Sequence, residues 1–309
     1  MITCLILFSG GLDSSLAFKI LEKQKKLKLL GLIFRSYFFN EEKAKKIAES
    51  INLPIKIVDI GREHLEIVKS PKHGYGSGIN PCLDCKILML KKAKEILKKT
   101  KGKVFVATGE VLNQRPMSQM RPALALIEKE SGLSGFLLRP LSALLLEETT
   151  PEKEEWIQRE KLLDISGRSR KRQLVLAKEF GLKTYLTPAG GCILTEKEFA
   201  KKAKELFEVC PDCRANDVEL LKIGRHFWLS KTKIVVGRNE EENLKLKKLA
   251  RPGDCLIELK DFAGPLTMIR NYGPEKELKQ EAIEKAKELT QFYSTKARGK
   301  RGIKFTCFK

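Results

Sequence analysis

A short glycine-containing segment, Ser-Gly-Gly-Leu-Asp-Ser-Ser at residues 9–15, constrains the fold of this chain more than any other feature. The apolar residues 2–8 just before it predict a buried strand, and the pattern at 16–23 just after it predicts a helix. Glycine permits the tight backbone turn between these elements, and the unpaired N–H groups at the start of a helix attract anions. The segment therefore predicts an α/β fold with a phosphate site where the first strand meets the first helix.

The alternation of strand and helix patterns continues along the first half of the chain. Further buried strands are predicted at 29–34, 55–60 and 104–107, and helices at 42–51 and 87–98. This rhythm is typical of βαβ units, so it predicts a doubly wound parallel sheet. Residues 71–81 are polar and rich in glycine, and we predict a long functional loop there.

The pattern changes after a predicted helix at 196–208. Short strand-like segments follow at 220–223, 226–229, 233–236, 255–259 and 266–270, and then a charged helix at 275–291. We therefore predict two domains, an α/β domain at residues 1–209 and a smaller, basic α+β domain at 210–309. The tail at 296–309, where basic residues and glycines are mixed, is expected to be a flexible basic arm.

The charge of the chain narrows the class of partner. Sixty Lys and Arg residues oppose 39 Asp and Glu residues, which gives a formal net charge of +21. This excess is larger than solubility requires and indicates a polyanionic partner, with nucleic acid as the first expectation. No run approaches the roughly 20 apolar residues that span a bilayer, and residues 1–8 lack the basic start of a signal peptide. We therefore expect a cytoplasmic protein without a membrane partner, and the oligomeric state is left open.

The residues of the predicted phosphate site are Ser9, Gly10, Gly11, Leu12, Asp13, Ser14 and Ser15. The serine hydroxyls can donate hydrogen bonds to phosphate, whereas Asp13 is suited to Mg²⁺. The spacing matches neither the Walker phosphate loop nor a dinucleotide-binding fingerprint. It resembles instead the SGGxDS signature of the PP-loop ATP pyrophosphatase superfamily. That resemblance implies ATP and Mg²⁺ as cofactors, cleavage of ATP between its α and β phosphates, and adenylation of a carbonyl or carboxyl oxygen.

Three cysteines in glycine-rich or loop-like segments are the second group of candidate functional residues. Because the chain has no export signal, its eight cysteines are expected to be reduced, metal-bound or catalytic. Cys82 and Cys85 form a CxxC at a predicted helix start, where thiol pKa values fall and thiolates become nucleophiles or metal ligands. By itself this motif fits a redox pair, half of a zinc site or part of an iron–sulfur site. A third cysteine, Cys192, follows two glycines.

The motifs NPCLDC at 80–85, ATGE at 107–110 and GGC at 190–192 resemble the pattern of the tRNA-2-thiouridine synthases and related tRNA thiolases. The resemblance implies that Cys82 and Cys192 handle sulfur and that Gly109 belongs to the nucleotide site. It also implies a 4Fe-4S cluster on Cys82, Cys85 and Cys192, with zinc or metal-free persulfide chemistry as alternatives. Glu110 stands where that family commonly has histidine, so the modified uridine and the replaced oxygen are not assigned.

The function that these resemblances imply is ATP-dependent thiolation of tRNA, with Cys82, Cys192 and Asp13 as catalytic residues. A uridine carbonyl oxygen would be adenylated and then displaced by sulfur, which free sulfide, a cysteine desulfurase or a carrier protein would supply. One alternative is an ATP-dependent RNA-amidating or ligating PP-loop enzyme without sulfur chemistry. Another is an RNA-binding module with a vestigial nucleotide site.

Basic residues supply the predicted RNA contacts. They are Arg115, Arg168, Arg170, Lys171, Arg172, Arg225 and Arg238. Residues 222–229 and 236–240 interleave basic and aromatic side chains, and they resemble the RNA-binding domain of the ribosome-quality-control proteins called NFACT-R. In that segment Phe227 and Trp228 would either stack on bases or belong to the core.

Two further features are candidates for smaller roles. Cys210 and Cys213 form a second CxxC, which is expected to be structural or incidental, with a zinc site as the alternative. Only three histidines occur, so a histidine general base is poorly supplied. Among them His73, in the glycine-rich loop, is the one best placed for a role at the site.

Overall fold

The computed structural model describes residues 2–24, 27–186, 192–274 and 278–308. The chain forms two compact units, which we call unit 1 (Met1–Glu196) and unit 2 (Lys197–Lys309). The boundary lies before a helix that the sequence analysis placed in the first domain. On that helix the Nζ of Lys202 donates to the carbonyl of Leu221 in unit 2, at 2.9 Å. None of the helices in the described parts of the chain combines the length and the apolar character needed to cross a membrane.

Unit 1 is built on a five-stranded parallel sheet with the strand order β3-β2-β1-β4-β5. Its strands are β1 (Ile2–Leu7), β2 (Leu27–Arg35), β3 (Ile55–Asp59), β4 (Lys103–Thr108) and β5 (Leu137–Leu138). Its helices are α1 (Leu12–Glu22), α2 (Glu42–Ser50), α3 (Gly61–Lys69), α4 (Cys82–Lys98), α5 (Arg121–Ser131), α6 (Thr150–Lys153) and α7 (Lys171–Glu179). The predicted doubly wound parallel sheet is confirmed, although α5, α6 and α7 were not predicted.

Hydrophobic residues cover both faces of this sheet. Along β1, Cys4 and Ile6 are buried in the cluster that contains Leu16 of α1, whereas Leu5 is buried in the cluster that contains Ile87 of α4. Strands covered on both faces have nearly continuous apolar sequences, which is why the sequence predicts them. The strand order reverses at β1, which lies between β2 and β4. In open α/β sheets, ligands bind at the carboxyl ends of the strands beside such a reversal.

Unit 2 contains a five-stranded sheet of antiparallel pairs in the order β10-β8-β9-β7-β6. Its strands are β6 (Arg225–Leu229), β7 (Thr232–Val236), β8 (Cys255–Leu259), β9 (Thr267–Asn271) and β10 (Phe305–Phe308). Its helices are α8 (Lys197–Val209), α9 (Ala215–Leu221), α10 (Glu240–Leu249) and α11 (Gln280–Phe292). Ala286 and Leu289 of α11 belong to one hydrophobic cluster of the sheet, and Leu220 and Leu246 belong to the other. The smaller α+β fold is confirmed.

Two local predictions for unit 2 are wrong. The strand predicted at 220–223 is instead the end of α9, where Leu220 is fully buried. The tail is also not a free arm, because Gln291 Nε2 donates to the carbonyl of Lys300 at 2.8 Å and β10 pairs with β8. Both corrections depend on contacts between segments that are distant in sequence, which local hydrophobic patterns do not contain.

Candidate active site

The phosphate loop joins β1 to α1 and is held by its own hydroxyl groups. The Oγ of Ser14 donates to the carbonyl of Gly11 at 2.9 Å and lies 3.3 Å from the Oγ of Ser9. The Ser9 Oγ also accepts a hydrogen bond from the N–H of Gly11 at 3.4 Å. Because α1 begins at Leu12, the backbone N–H groups of its first turn have no partner of the helical pattern. The loop therefore offers hydroxyl and N–H donors to an anion.

Two glycines allow other segments to approach this loop closely. Gly10 has a φ of +72°, and a Cβ at this position would lie 2.9 Å from the Cα of Ala44. A Cβ on Gly109 would lie 2.5 Å from the backbone nitrogen of Ser14. Real Cβ atoms do not approach backbone so closely, so the end of β4 packs on the first turn of α1 only with glycine at 109. This packing is the physical reason for the glycine in the ATG motif.

The two carboxylate oxygens of Asp13 differ in their hydrogen bonding. Its Oδ2 accepts a hydrogen bond from the Nε2 of Gln114 at 2.7 Å and lies 3.8 Å from the guanidinium of Arg170. The Oε1 of Gln114 in turn accepts from the buried Gln173 at 3.0 Å. The Oδ1 of Asp13 is buried without a hydrogen-bond partner among the described residues. A carboxylate oxygen fixed in this way is a ligand type that Mg²⁺ prefers.

The sequence analysis missed Gln114 and Gln173, and it predicted an RNA contact for Arg170. The structure places Arg170 next to the phosphate-loop carboxylate of Asp13. Neither glutamine lies in a motif that the sequence analysis used.

The glycine-rich loop at 71–81 is attached to the first turn of α4 by His73. Its Nδ1 lies 2.8 Å from the Oδ1 of Asp84, and its backbone N–H donates to the Oδ2 of the same carboxylate at 3.0 Å. The Nε2 of His73 lies 3.1 Å from the Oε1 of Glu130. Both ring nitrogens therefore contact carboxylates. His73 therefore positions the loop that leads into the CxxC of α4.

The same loop packs against the segment that carries Cys192. The backbone N–H of Ile79 donates to the carbonyl of Leu194 at 2.9 Å, and both side chains are fully buried. Gly78 has a φ of +65°, and a Cβ there would collide with this carbonyl oxygen of Leu194. Residues 187–191, with Gly190 and Gly191 of the predicted GGC motif, lie outside the described residues.

Cys82, Cys85 and Cys192 lie in one neighbourhood. Cys82 begins α4, Cys85 is one turn later, and Cys192 directly precedes a short 3-10 helix, Ile193–Thr195. Burial raises the pKa of the Cys85 thiol far above its ordinary value, and the charges of Cys192 and Cys82 raise it further. Burial also raises the pKa of Cys192. The lowered thiol pKa expected at the helix start is therefore wrong for Cys85, because its burial outweighs the effect of the helix end.

The chemistry of these side chains fits a thiolate-ligated group. Three thiols on neighbouring segments are the kind of donor set that iron–sulfur clusters use, and a metal would stabilise the deprotonated thiols against burial. Within the described ranges, however, no group of three or more His, Cys, Asp or Glu residues is arranged so that it could hold a metal ion. The three cysteines therefore have the chemistry of cluster ligands, although the described residues contain no arrangement of side chains that would hold a metal ion.

Glu110 joins the segment that packs on the phosphate loop to helix α4, which carries the CxxC. It follows Gly109, and its carboxylate pairs with the Nζ of Lys86 and with the Nε of Arg139, the latter at 3.1 Å. Burial acts to raise the pKa of Glu110, but the charges and hydrogen bonds of Lys86 and Arg139 outweigh it and lower the pKa to about 2. Lys86 directly follows Cys85. The sequence analysis identified position 110 only as a departure from the expected histidine.

The predicted RNA-binding residues divide into exposed and paired side chains. The exposed residues at the surface of unit 1 include Arg115, Arg168 and Lys171. Arg172 forms an ion pair with Asp164 at 2.6 Å, and the guanidinium of Arg238 is engaged by Glu242 through its Nε at 2.9 Å. Arg225 lies over an aromatic ring. The structure therefore leaves the prediction open for the exposed residues and gives Arg172 and Arg238 intramolecular partners.

The other candidates of unit 2 are partly or fully buried. Phe227 packs against the hydrophobic cluster beneath α11. Trp228 packs against Tyr272, with ring centroids 5.7 Å apart, and the Nζ of Lys233 lies 4.2 Å from the Trp228 ring centroid. Cys213 is buried at the start of α9. Of the two interpretations of Phe227 and Trp228, the packing favours the core.

Comparisons with known proteins give one family match and several remote structural likenesses. Residues 224–308 match the model of the NFACT protein RNA binding domain. No curated protein matches the chain. A predicted subunit of tRNA methyltransferase from Methanocaldococcus jannaschii has 18% identity and a TM-score of 0.37, over 58% of this chain and 76% of that one.

Two further solved structures show a similar degree of likeness. The U34-tRNA thiolase NcsA from Methanococcus maripaludis, solved with its 4Fe-4S cluster, has 17% identity and a TM-score of 0.33, over 72% of this chain and 71% of that one. The NMN synthetase from Francisella tularensis has 15% identity and a TM-score of 0.29, over 60% of this chain and 89% of that one. At these values the likenesses do not identify an activity. The family match lies within unit 2 and covers less than half of the chain, so unit 1 is interpreted from its own residues.

Proposed function

We propose that the chain is an ATP-dependent tRNA-modifying enzyme that adenylates a uridine carbonyl oxygen and replaces that oxygen with sulfur. One connected set of contacts in unit 1 supports the proposal. Gly109 packs against the phosphate loop at Ser14, and the next residue, Glu110, pairs with Lys86, which follows Cys85. These contacts support placing the nucleotide residues and the thiol residues in one site.

The phosphate loop performs the nucleotide chemistry in this proposal. The hydroxyls of Ser9 and Ser15 and the N–H groups of the first turn of α1 bind the pyrophosphate portion of ATP, while the Ser14 hydroxyl holds the loop by donating to Gly11. Asp13, oriented by Gln114, presents its free Oδ1 to Mg²⁺. Fixed cations and donors of this kind stabilise the charge that develops during attack on the α-phosphate.

The reaction balances without an oxidant or a reductant when sulfur arrives as hydrosulfide. The uridine carbonyl oxygen attacks the α-phosphorus of ATP, and the bond from that phosphorus to pyrophosphate breaks. Hydrosulfide then adds to the activated ring carbon, and the carbon–oxygen bond breaks so that AMP leaves with the former carbonyl oxygen. Loss of the hydrosulfide proton gives the thiocarbonyl. The products are AMP, pyrophosphate and thiolated tRNA.

The three cysteines determine where sulfur enters the site. A 4Fe-4S cluster held by Cys82, Cys85 and Cys192 would supply an iron with a free coordination position for sulfide. The contact of His73 with Asp84 fixes the CxxC loop, and the loop is joined to the segment before α8 through backbone. Zinc on the same thiolates is one alternative carrier of sulfide. A persulfide on Cys82 or Cys192, received from a sulfur-carrying protein, is the other. Its outer sulfur would bond to the activated carbon as AMP leaves, the second of these two cysteines would attack the inner sulfur to release the thiocarbonyl, and a thiol reductant would reopen the resulting disulfide. The iron content measured in the test below separates the cluster from both alternatives.

RNA recognition is proposed chiefly for unit 2. The match of residues 224–308 to an RNA-binding family and the formal net charge of +21 support an RNA partner. We further propose that the RNA is tRNA and that sulfide or a sulfur-carrying protein donates the sulfur.

The test is an anaerobic incubation of the full chain with ATP, Mg²⁺, tRNA and sulfide, followed by mass spectrometry of the nucleosides. We expect thiolated uridine and an equal amount of AMP. A Cys307→Ala variant, which alters an exposed cysteine of β10, is the matched control for alanine variants of Cys82 and Cys192 and should retain activity. Visible absorbance and iron content of the same sample separate a cluster from zinc or a persulfide.

Two outcomes would contradict the proposal. AMP formation that depends on RNA but leaves the RNA free of sulfur would favour an amidating or ligating enzyme. Failure to bind or cleave ATP under any condition would favour an RNA-binding module with a vestigial nucleotide site.

A further inference from the structure

An exposed aromatic ring stands at the end of the last helix of unit 2. Phe292 is the last residue of α11, and this large apolar residue is 52% exposed. Its ring lies 5.0 Å from that of Tyr293, and the two planes are nearly perpendicular, at 89°. Tyr293 packs against the hydrophobic cluster of the sheet, so it anchors the pair. The core therefore holds Tyr293 and leaves Phe292 at the surface.

Two arginines lie over these rings. The Cζ of Arg225 is 4.5 Å from the ring centroid of Tyr293, and the Cζ of Arg298 is 4.9 Å from that of Phe292. The Nε of Arg298 also donates to the carbonyl of Phe292 at 2.6 Å, which fixes its orientation. Within the described residues neither arginine forms an ion pair with a carboxylate. Their charges remain available to an anionic partner, unlike that of Arg238.

The segment after α11 holds this surface in place and adds charge. Ser294 Oγ accepts from the N–H of Ala297 at 3.2 Å, and Gln291 Nε2 donates to the carbonyl of Lys300 at 2.8 Å. Arg298 is therefore carried by hydrogen-bonded turns that begin directly after the helix. The neighbouring exposed basic residues are Lys296, Lys300 and Arg301.

We infer that Arg225, Phe292, Tyr293 and Arg298 form a stacking platform for unpaired RNA bases. Exposed aromatic rings and guanidinium planes bind base faces, which are accessible only where the RNA is not in a helix. The surrounding positive charge fits the phosphates that accompany those bases. The match of residues 224–308 to an RNA-binding family supports RNA as the occupant and specifies neither the residues nor the mode of binding. This inference is independent of the reaction proposed for unit 1.

The experiment measures fluorescence anisotropy of the full chain with three labelled probes of equal length. They are an oligouridine, an abasic ribose-phosphate oligomer and a duplex RNA. For the wild-type chain we expect oligouridine to bind more tightly than the other two. The Phe292→Ala variant should bind oligouridine about tenfold more weakly, because one base-stacking contact is lost, and should bind the abasic oligomer as before.

The matched control is Leu244→Ala, which truncates a side chain of α10 that is 54% exposed in the same unit. It should leave all three affinities unchanged. Phe292→Trp should retain the preference for oligouridine, because an aromatic ring is the required property. Unchanged binding of the abasic oligomer by Phe292→Ala shows that this variant folds. The inference is overturned if Phe292→Ala leaves oligouridine binding unchanged. It is equally overturned if the wild-type chain binds the abasic oligomer or the duplex as tightly as oligouridine.

Discussion

Unit 1 and unit 2 each carry a CxxC pair, and the surroundings of the two pairs differ. Cys82 and Cys85 occupy the first turn of α4, and a second segment brings the charge of Cys192 within range of both. Cys210 and Cys213 instead form a turn between α8 and α9, where the N–H of Cys213 donates to the carbonyl of Cys210 at 3.1 Å. The same spacing of two cysteines therefore occurs in two different surroundings, and the neighbouring segments determine which groups lie near the thiols.

The largest expected effect separates the two cysteine pairs directly. Cys82→Ala or Cys192→Ala should reduce tRNA thiolation about a thousandfold or more, since each removes a thiol that carries or receives sulfur. The double variant Cys210→Ala/Cys213→Ala should thiolate at close to the wild-type rate. Initial rates of thiolated-nucleoside formation measure both. Equal losses in the two sets would show that the pairs do not differ in function.

The next effect concerns the connection between the thiols and the nucleotide site. Glu110→Gln leaves Lys86 and Arg139 without this counter-charge in a mostly buried site, and it should lower the free energy of unfolding by about 3 kcal/mol. Urea denaturation at neutral pH measures the change. The control Asp164→Asn removes an exposed ion pair with Arg172 and should leave stability unchanged. A Glu110→Gln protein as stable as wild type would exclude this role.

The same carboxylate predicts a pH dependence. The pKa of Glu110 is about 2 in the folded chain, below the ordinary value of 4.5. Its stabilisation is therefore present above pH 4.5 and is lost as the pH falls toward 2. The difference in unfolding free energy between wild type and Glu110→Gln should shrink over that interval. A difference that stays constant would contradict the assignment.

A smaller effect is expected from the hydrogen bonds behind Asp13. Gln173→Ala removes the donor that holds Gln114, so the Mg²⁺ concentration for half-maximal pyrophosphate release should rise about tenfold. Saturating Mg²⁺ should restore the rate, which a general loss of folding would not permit. Arg172→Ala, on the same helix α7, should leave the Mg²⁺ dependence unchanged. An unaltered Mg²⁺ titration for Gln173→Ala would show that these hydrogen bonds do not position Asp13 for Mg²⁺.

The smallest expected effect extends the comparison from cysteines to arginines. Arg225→Ala should weaken binding of single-stranded RNA about threefold, because its guanidinium lies over Tyr293 and has no carboxylate partner in the described ranges of the chain. Arg238→Ala should weaken it less than about twofold, since Glu242 already neutralises that side chain. Anisotropy titrations at one fixed salt concentration compare the two. The reverse order would show that exposure and pairing do not determine which arginine contacts RNA.

Much of the fold could be predicted from the sequence because its signals are local. Apolar runs predicted β1 to β4, and strand-like segments predicted β6 to β9, within a few residues of their bounds. The phosphate loop was recognisable because its glycines and hydroxyl residues are contiguous. The edge strands β5 and β10 were missed because they are short and depend on tertiary contacts. The helices α5, α6, α7, α9 and α10 were also missed.

The side-chain arrangement of the candidate site could not be predicted in the same way. Its contacts join different segments of the chain, and no periodicity predicts such pairs. Examples are Gln114 with Asp13 and Lys86 with Glu110. The raised pKa of Cys85 likewise depends on burial, which the helix-start argument did not include. The exposed Phe292 was missed because the pattern of α11 indicates a helix but not which apolar residue lies beyond its core.

The most direct test of the central claim follows the fate of the uridine oxygen. A tRNA carrying oxygen-18 at the uridine carbonyls is incubated anaerobically with the full chain, ATP, Mg²⁺ and sulfide, and the AMP is analysed by mass spectrometry. The account predicts that oxygen-18 appears in AMP in the same amount as sulfur appears in the tRNA. AMP without oxygen-18, formed while the tRNA gains sulfur or any other group, would contradict it.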